Sequence, residues 1–159
     1  MGGTWARPRA VPHSAWPVRH RDGRVYVADR QNDRIQVFDP HGTYLGEWTD
    51  VRRPQDIFID SEGLVYIAEL SYPRGSMSRR YGVTEHHLPG RISIFDPEGG
   101  LILRWEDEEP GKPGYFFAPH GIWVDSEGSI YLAEVVDTIA KSQGLHLPHV
   151  PTIQKFARL

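Results

Sequence analysis

Short runs in which apolar and polar side chains alternate dominate the chain, and they recur in a fixed order. Val25-Tyr-Val-Ala28 and Ile35-Gln-Val-Phe38 alternate as half-buried antiparallel strands do. The clearest unit is Pro119 to Glu134, two predicted strands around the turn Ser126-Glu-Gly128. An earlier copy runs from Arg53-Pro-Gln-Asp-Ile-Phe-Ile-Asp60 through Ser61-Glu-Gly63 into Leu64-Val-Tyr-Ile-Ala-Glu69. A looser one starts at Val11-Pro-His-Ser-Ala-Trp16 and continues, after Asp22-Gly23, into Arg24-Val-Tyr-Val-Ala-Asp29. A third strand follows in each unit: Arg34–Asp39, Arg91–Asp96 or Thr152–Phe156. In the first two units an Asp-Pro-X-Gly turn leads to a fourth, Thr43–Trp48 or Leu101–Trp105.

Four short strands repeated at roughly 40 to 50 residues are the mark of propeller blades. The expected fold is therefore an all-β propeller array of four-stranded antiparallel blades. About three are encoded, near 11–52, 53–106 and 115–159, behind an irregular lead-in at 1–10. Within that lead-in, Trp5 reads as the remnant of a fourth strand from a preceding blade, because Trp48 and Trp105 close that strand elsewhere. No long stretch carries a 3.6-residue period, and Pro and Gly interrupt throughout, so no helix is expected. Two insertions, 71–89 and 136–151, fall at the same hairpin of their blades, which places them on one face, often the binding face.

Propellers close with about four to eight blades. Three alone leave two sheet faces uncovered, although each Ile, Val or Phe buried there would add about 1.5 to 3 kcal/mol. Half of a six-bladed ring is thus expected, completed by further chain or by a second copy in a head-to-tail homodimer.

At 159 residues, 39% apolar, 25% charged and a net charge of -3, the composition is that of a soluble globular chain. Charge near neutrality argues against nucleic acid, which demands a concentrated basic face. Arg7, Arg9, Arg19, Arg21 and Arg24 form one basic-leaning stretch, read as solvated. Cysteine is absent, which excludes disulfides and thiolate metal sites. No apolar run reaches membrane-spanning length, and no signal peptide is visible in this chain, so a soluble protein without a membrane partner is expected and its location stays open.

At Tyr26-Val-Ala-Asp-Arg-Gln-Asn-Asp-Arg-Ile-Gln-Val-Phe38 the sequence resembles the NHL-repeat six-bladed propellers, and the likeness runs over nearly the whole chain. Val11-Pro-His-Ser14, Ala28-Asp-Arg-Gln-Asn32 and Ala118-Pro-His-Gly121 look more specifically like the propeller of peptidyl-alpha-hydroxyglycine alpha-amidating lyase and its bacterial relatives. The resemblance implies zinc held by histidines of alternate blades, with His13 and His120 matching two of them and Gln55 in the intervening slot. It also implies an active-site role for Arg30, in charge stabilisation or in gripping a substrate carboxylate. Gly121 stands where the family has an acidic calcium ligand, which argues against calcium. The family's third zinc histidine and its catalytic tyrosine belong to blades beyond these three.

On the residues alone, other readings stay open. His13 and His120 fit packed loop histidines as well as ligands, and Arg30 fits a surface ion network with Asp29 or Asp33. The repeated Asp29, Glu69 and Glu134 fit hydrogen bonding to neighbouring turns better than catalysis. His86-His87 and His146 with His149 have spacings a metal could use, but scattered loop histidines are common. Two functions result. One is a zinc-assisted lyase cleaving a carbon–nitrogen bond in a small peptide-like substrate. The other is a non-catalytic NHL scaffold that binds a protein or peptide through the two insertions.

Overall fold

The computed structural model describes residues 17–107, 109, 112, 115–142, 144 and 151–157. In chain order the first sheet holds β1 (Pro17–Arg19), β2 (Val25–Asp29), β3 (Arg34–Phe38) and β4 (Tyr44–Trp48), paired antiparallel in that sequence. The second holds β5 (Pro54–Ile59), β6 (Val65–Glu69), β9 (Arg91–Phe95) and β10 (Leu101–Trp105) in the same arrangement. Between β6 and β9, the 71–89 insertion carries its own small hairpin, β7 (Met77–Ser78) and β8 (Gly82–Val83). The third sheet has three strands, β11 (Pro119–Val124), β12 (Ile130–Glu134) and β13 (Ile153–Phe156).

Local chemistry explains why the strands turn where they do. Asp60 and Asp125 each accept backbone N–H groups two and four residues on, and Gly63 and Gly128 follow at φ 93 and 81, left-handed geometry that glycine adopts without penalty. Asp39 and Asp96 repeat the device between the third and fourth strands. The predicted first strand Val11–Trp16 lies outside the described residues; the described part of that sheet starts at Pro17.

Adjacent sheets bury a shared core. Tyr26, Ile35, Val37, Ile57, Ile67 and Phe95 fill the space between the first two sheets, and Ile92, Phe116, Ile122, Val124 and Leu132 the space between the second and third. A tryptophan from each fourth strand binds its sheet to the next. Trp48 lies 5.1 Å from the Tyr26 ring and 5.5 Å from Phe95, and Trp105 lies 5.4 Å from Phe116 and 4.3 Å from Phe156.

One expectation fails. The second insertion opens with a helix, α1 (Val136–Ser142), and a 3-10 turn forms at Arg30–Asn32. Val136, Ile139 and Ala140, spaced at i, i+3 and i+4, face Leu70, Phe117 and Ala118. Burial of that short stripe sustains a helix too brief for periodicity to reveal. Among the described residues no helix is long and apolar enough to cross a membrane.

Candidate functional site

The repeated carboxylates at the ends of β2, β6 and β12 fix the strand ends that carry the site. Asp29 accepts from Arg34 Nε at 2.8 Å, Gln36 at 2.9 Å and Asn32 at 2.7 Å. Glu69 accepts from Arg91 Nε at 2.8 Å, from Ser93 Oγ at 2.5 Å and from the backbone N–H of Arg52. Glu134 accepts two backbone N–H groups, of Phe117 and Ala118, each at 2.8 Å, and the Gln154 amide at 2.6 Å. All three serve structure, as the hydrogen-bonding reading expects. Burial pushes both Glu69 and Glu134 above the usual carboxylate range.

Against these fixed ends lies a polar chain drawn from all three sheets. Arg30, first residue of the 3-10 turn after β2, donates from Nη1 to Oε1 of Gln55 at 2.9 Å. Gln55, on β5, is 2% exposed, and its Nε2 sits 3.3 Å from Nε2 of His120 on β11. Because Arg30 can only donate, it fixes the Gln55 carbonyl toward itself and turns the amide N–H toward His120. His120 Nε2 must then accept, which puts the proton of the neutral ring on Nδ1. Asp56 holds β5 to β11 alongside, its Oδ2 accepting the Ile122 N–H at 3.0 Å.

A second network holds Arg53 beside Arg30. Asp33 is fully buried and accepts from Tyr72 Oη at 2.8 and 2.9 Å, Ser78 Oγ at 2.6 Å and the Arg53 N–H at 2.8 Å. Asp33 and Arg53 both have left-handed backbones, φ 51 and 40, a conformation that costs non-glycine residues about 1 to 3 kcal/mol. The Arg53 guanidinium donates to Ser71 O at 2.6 Å and lies 5.0 Å from the Tyr72 ring centroid. Burial lowers its pKa, and the neighbouring Arg30 charge lowers it further. Among the described residues neither Arg30 nor Arg53 forms an ion pair, and Arg30 Nε is buried without a hydrogen-bond partner.

These positions bear on each predicted site residue. Arg30 and His120 are brought together through Gln55, while His13 lies outside the described residues. The ion network of Arg30 with Asp29 or Asp33 does not form, because Arg34 and the Tyr72 and Ser78 hydroxyls occupy those carboxylates. His86 and His87 are exposed, and His146 and His149 lie outside the described residues. Among the described residues no three His, Cys, Asp or Glu side chains gather closely enough to hold a metal ion. They offer one imidazole of the expected zinc set, and its Nε2 lone pair faces an amide, so by themselves they do not make a zinc site. The network of Asp33, Arg53 and Tyr72 carries no signal in the sequence, since the contacts that build it join residues 20, 39 and 45 positions apart.

Antiparallel four-stranded sheets packed face to face in sequence order define a β-propeller-like protein. Solved structures agree. A Bacteroides caccae protein of unknown function superposes with TM-score 0.60 at 13% identity, over 92% of this chain and 47% of its own length. A streptogramin B lyase does so with TM-score 0.52 at 16% identity, over 80% and 36% respectively. Virginiamycin B lyase from Staphylococcus aureus gives 0.51 at 14%, over 91% and 41%. The chain thus spans less than half the length of each. No protein-family model matches the chain, and no curated protein does.

Proposed function

We propose that the chain forms half of a six-bladed, lyase-type propeller in which Arg30 and His120 act on a small peptide-like substrate bearing a carboxylate. The observation that carries this reading is the Arg30–Gln55–His120 chain, which gathers a cation and an imidazole from separate sheets. Two arginines without a carboxylate partner among the described residues favour an anionic group beside them. The likeness to amidating lyases in Ala28–Asn32 and Ala118–Gly121 supplies the reaction class.

Cleavage of a carbinolamide needs little machinery. The hydroxyl proton leaves to a base, its bonding electrons form the new carbonyl, and the carbon–nitrogen pair departs with nitrogen, which takes up a proton. The exposed His120 suits the base once the substrate hydroxyl displaces the Gln55 amide from its Nε2 lone pair. Arg30 stabilises the negative charge of the substrate carboxylate and of the departing nitrogen.

The test is glyoxylate release from a peptide ending in α-hydroxyglycine, assayed on the purified full chain. Arg30→Ala and His120→Ala are each expected to lower turnover about 100-fold. An active protein indifferent to both substitutions removes the reading.

One observation favours the scaffold alternative. The 71–89 insertion exposes Met77 at 70%, Tyr81 at 48% and Val83 at 56%. A cavity of about 490 Å³ opens between it and Arg52 and Arg91, with Tyr81, Val83 and His86 in its wall. Peptide binding lost on replacing that loop, and kept in His120→Ala, would select this reading.

A further inference from the structure

The first two sheets carry the same buried ion pair and treat its outer end differently. Asp29 stands opposite Arg34 and Glu69 opposite Arg91, each carboxylate accepting from the arginine Nε at 2.8 Å. In the first sheet Arg34 also donates from Nη1 to Glu47 at 2.7 Å, and Glu47 lies on β4 opposite Gln36. The matching position on β10, opposite Ser93, is Arg104, which turns to Asp50 and brings no carboxylate. Arg91 is 6% exposed, and among the described residues its Nη1 and Nη2 meet no acceptor.

Those two nitrogens open on the cavity of about 490 Å³ beside the 71–89 insertion. Arg52 lines it too. Its Nη2 is held by Glu106 and by Pro89 O, while its Nε is buried with no acceptor among the described residues. Burial lowers the Arg52 pKa, and the Arg91 charge beside it lowers it further, so the two cations stand close enough to repel. The rest of the wall is largely apolar, formed by Tyr81, Val83 and Leu88, the first two half exposed. Convergent donors at the floor of an apolar cavity of this size are the form of a small-molecule site.

Charge narrows the ligand. Glu69, Glu106 and Asp50 already answer Arg91, Arg52 and Arg104 one for one, and Glu85 in the cavity wall is exposed. What is left over is hydrogen-bond donors rather than charge, which suits one negative charge spread over two oxygens and disfavours a dianion. We propose that the cavity binds a small organic acid, its carboxylate on the free Nη groups of Arg91 beside Arg52 and its apolar body covered by Tyr81, Val83 and Leu88. Glu47 is the built-in counterpart: beside a second cavity, of about 390 Å³, it places on Arg34 the carboxylate that the ligand places on Arg91. The acid site rests on the cavity of the scaffold reading and names the group anchored there. None of Arg30, Gln55 and His120 lines it, so it is independent of the lyase reading.

Calorimetric titration of the full chain with N-acetylphenylalanine and with its amide, equal in shape but uncharged, tests the site. The acid should bind, and the amide about tenfold or more weaker. Arg104→Glu sets a carboxylate where the first sheet has Glu47 and should weaken the acid by a similar factor. Arg91→Lys keeps a cation for Glu69 but removes the fork, and should do the same, with thermal melts confirming that both variants fold. Arg30→Ala should leave acid binding intact. A peptide ending in free phenylalanine, compared with N-acetylphenylalanine, tells whether the carboxylate comes from a chain end or from a free acid, and tighter binding of either keeps the site. Acid and amide binding equally, or acid binding lost in Arg30→Ala and kept in folded Arg91→Lys, overturns it. Equal binding that is lost on replacing the insertion would overturn the acid site and still leave the scaffold reading standing.

Discussion

Arg30 and His120 never touch, yet each is oriented by the other through the buried amide of Gln55, 2.9 Å from the first and 3.3 Å from the second. The arrangement joins the ends of three sheets at one polar point.

Gln55→Ala should therefore destabilise the fold by about 1 to 3 kcal/mol, because Arg30 Nη1 loses its acceptor while partly buried. Gln55→Glu keeps an acceptor for Arg30 and adds an ion pair, so it should cost less. Denaturant unfolding of the two variants beside the unmodified protein checks the order. Equal losses would mean that Gln55 acts by filling space alone.

Tyr72 and Asp33 offer a second measurement. Burial, together with the hydrogen bond to the Asp33 carboxylate, pushes the Tyr72 phenol well above its ordinary value of 10.0. Above pH 10 the unfolded chain releases this proton and the folded chain retains it, so stability falls as pH rises, by at most about 1.4 kcal/mol per unit for the group. Below pH 10 both states hold the proton and the contribution is intact. Tyr72→Phe should cost about 1 to 3 kcal/mol at pH 7 by leaving Asp33 short of a donor. It should also flatten the decline above pH 10 relative to the unmodified protein, as unfolding at pH 9 and pH 11 would record.

The strands and turns of this chain were legible because they depend on local chemistry repeated three times. Asp39, Asp60, Asp96 and Asp125 each build a turn from their own neighbourhood, and Val25–Ala28 alternates as any half-buried strand does. Arg30 and His120 stood out by resemblance, and Gln55 by its matching slot in the intervening blade. What Gln55 does was hidden, since an amide's orientation is set by partners 25 and 65 residues away. The Asp33 network was hidden for the same reason, with Tyr72 and Ser78 reaching it from 39 and 45 residues on. Helix α1 escaped because its seven residues are helical through docking on Leu70 and Phe117 rather than through any pattern long enough to read.

The third sheet differs from the others at one electrostatic position, and that difference can be reversed. Asp29 faces Arg34 and Glu69 faces Arg91 across the same strand pair, but opposite Glu134 stands Thr152, bound to it only through the backbone at 2.8 Å. Among the described residues Glu134 therefore has hydrogen bonds and no cation, and burial outweighs them to raise its pKa. In the window just above the ordinary glutamate value of 4.5, the folded state binds the proton that the unfolded state has lost. Stability from this group thus falls as pH climbs through that window and is lower at neutrality than at pH 4.5. Thr152→Arg supplies the missing guanidinium at a site still open to water on one side. It should add about 1 kcal/mol at pH 7 and remove the decline, because the cation holds the carboxylate ionised in the folded state. Thermal melts at pH 4.5 and pH 7 for Thr152→Arg, Glu134→Gln and the double variant isolate the pair. A coupling near zero would mean the new side chain stays in solvent.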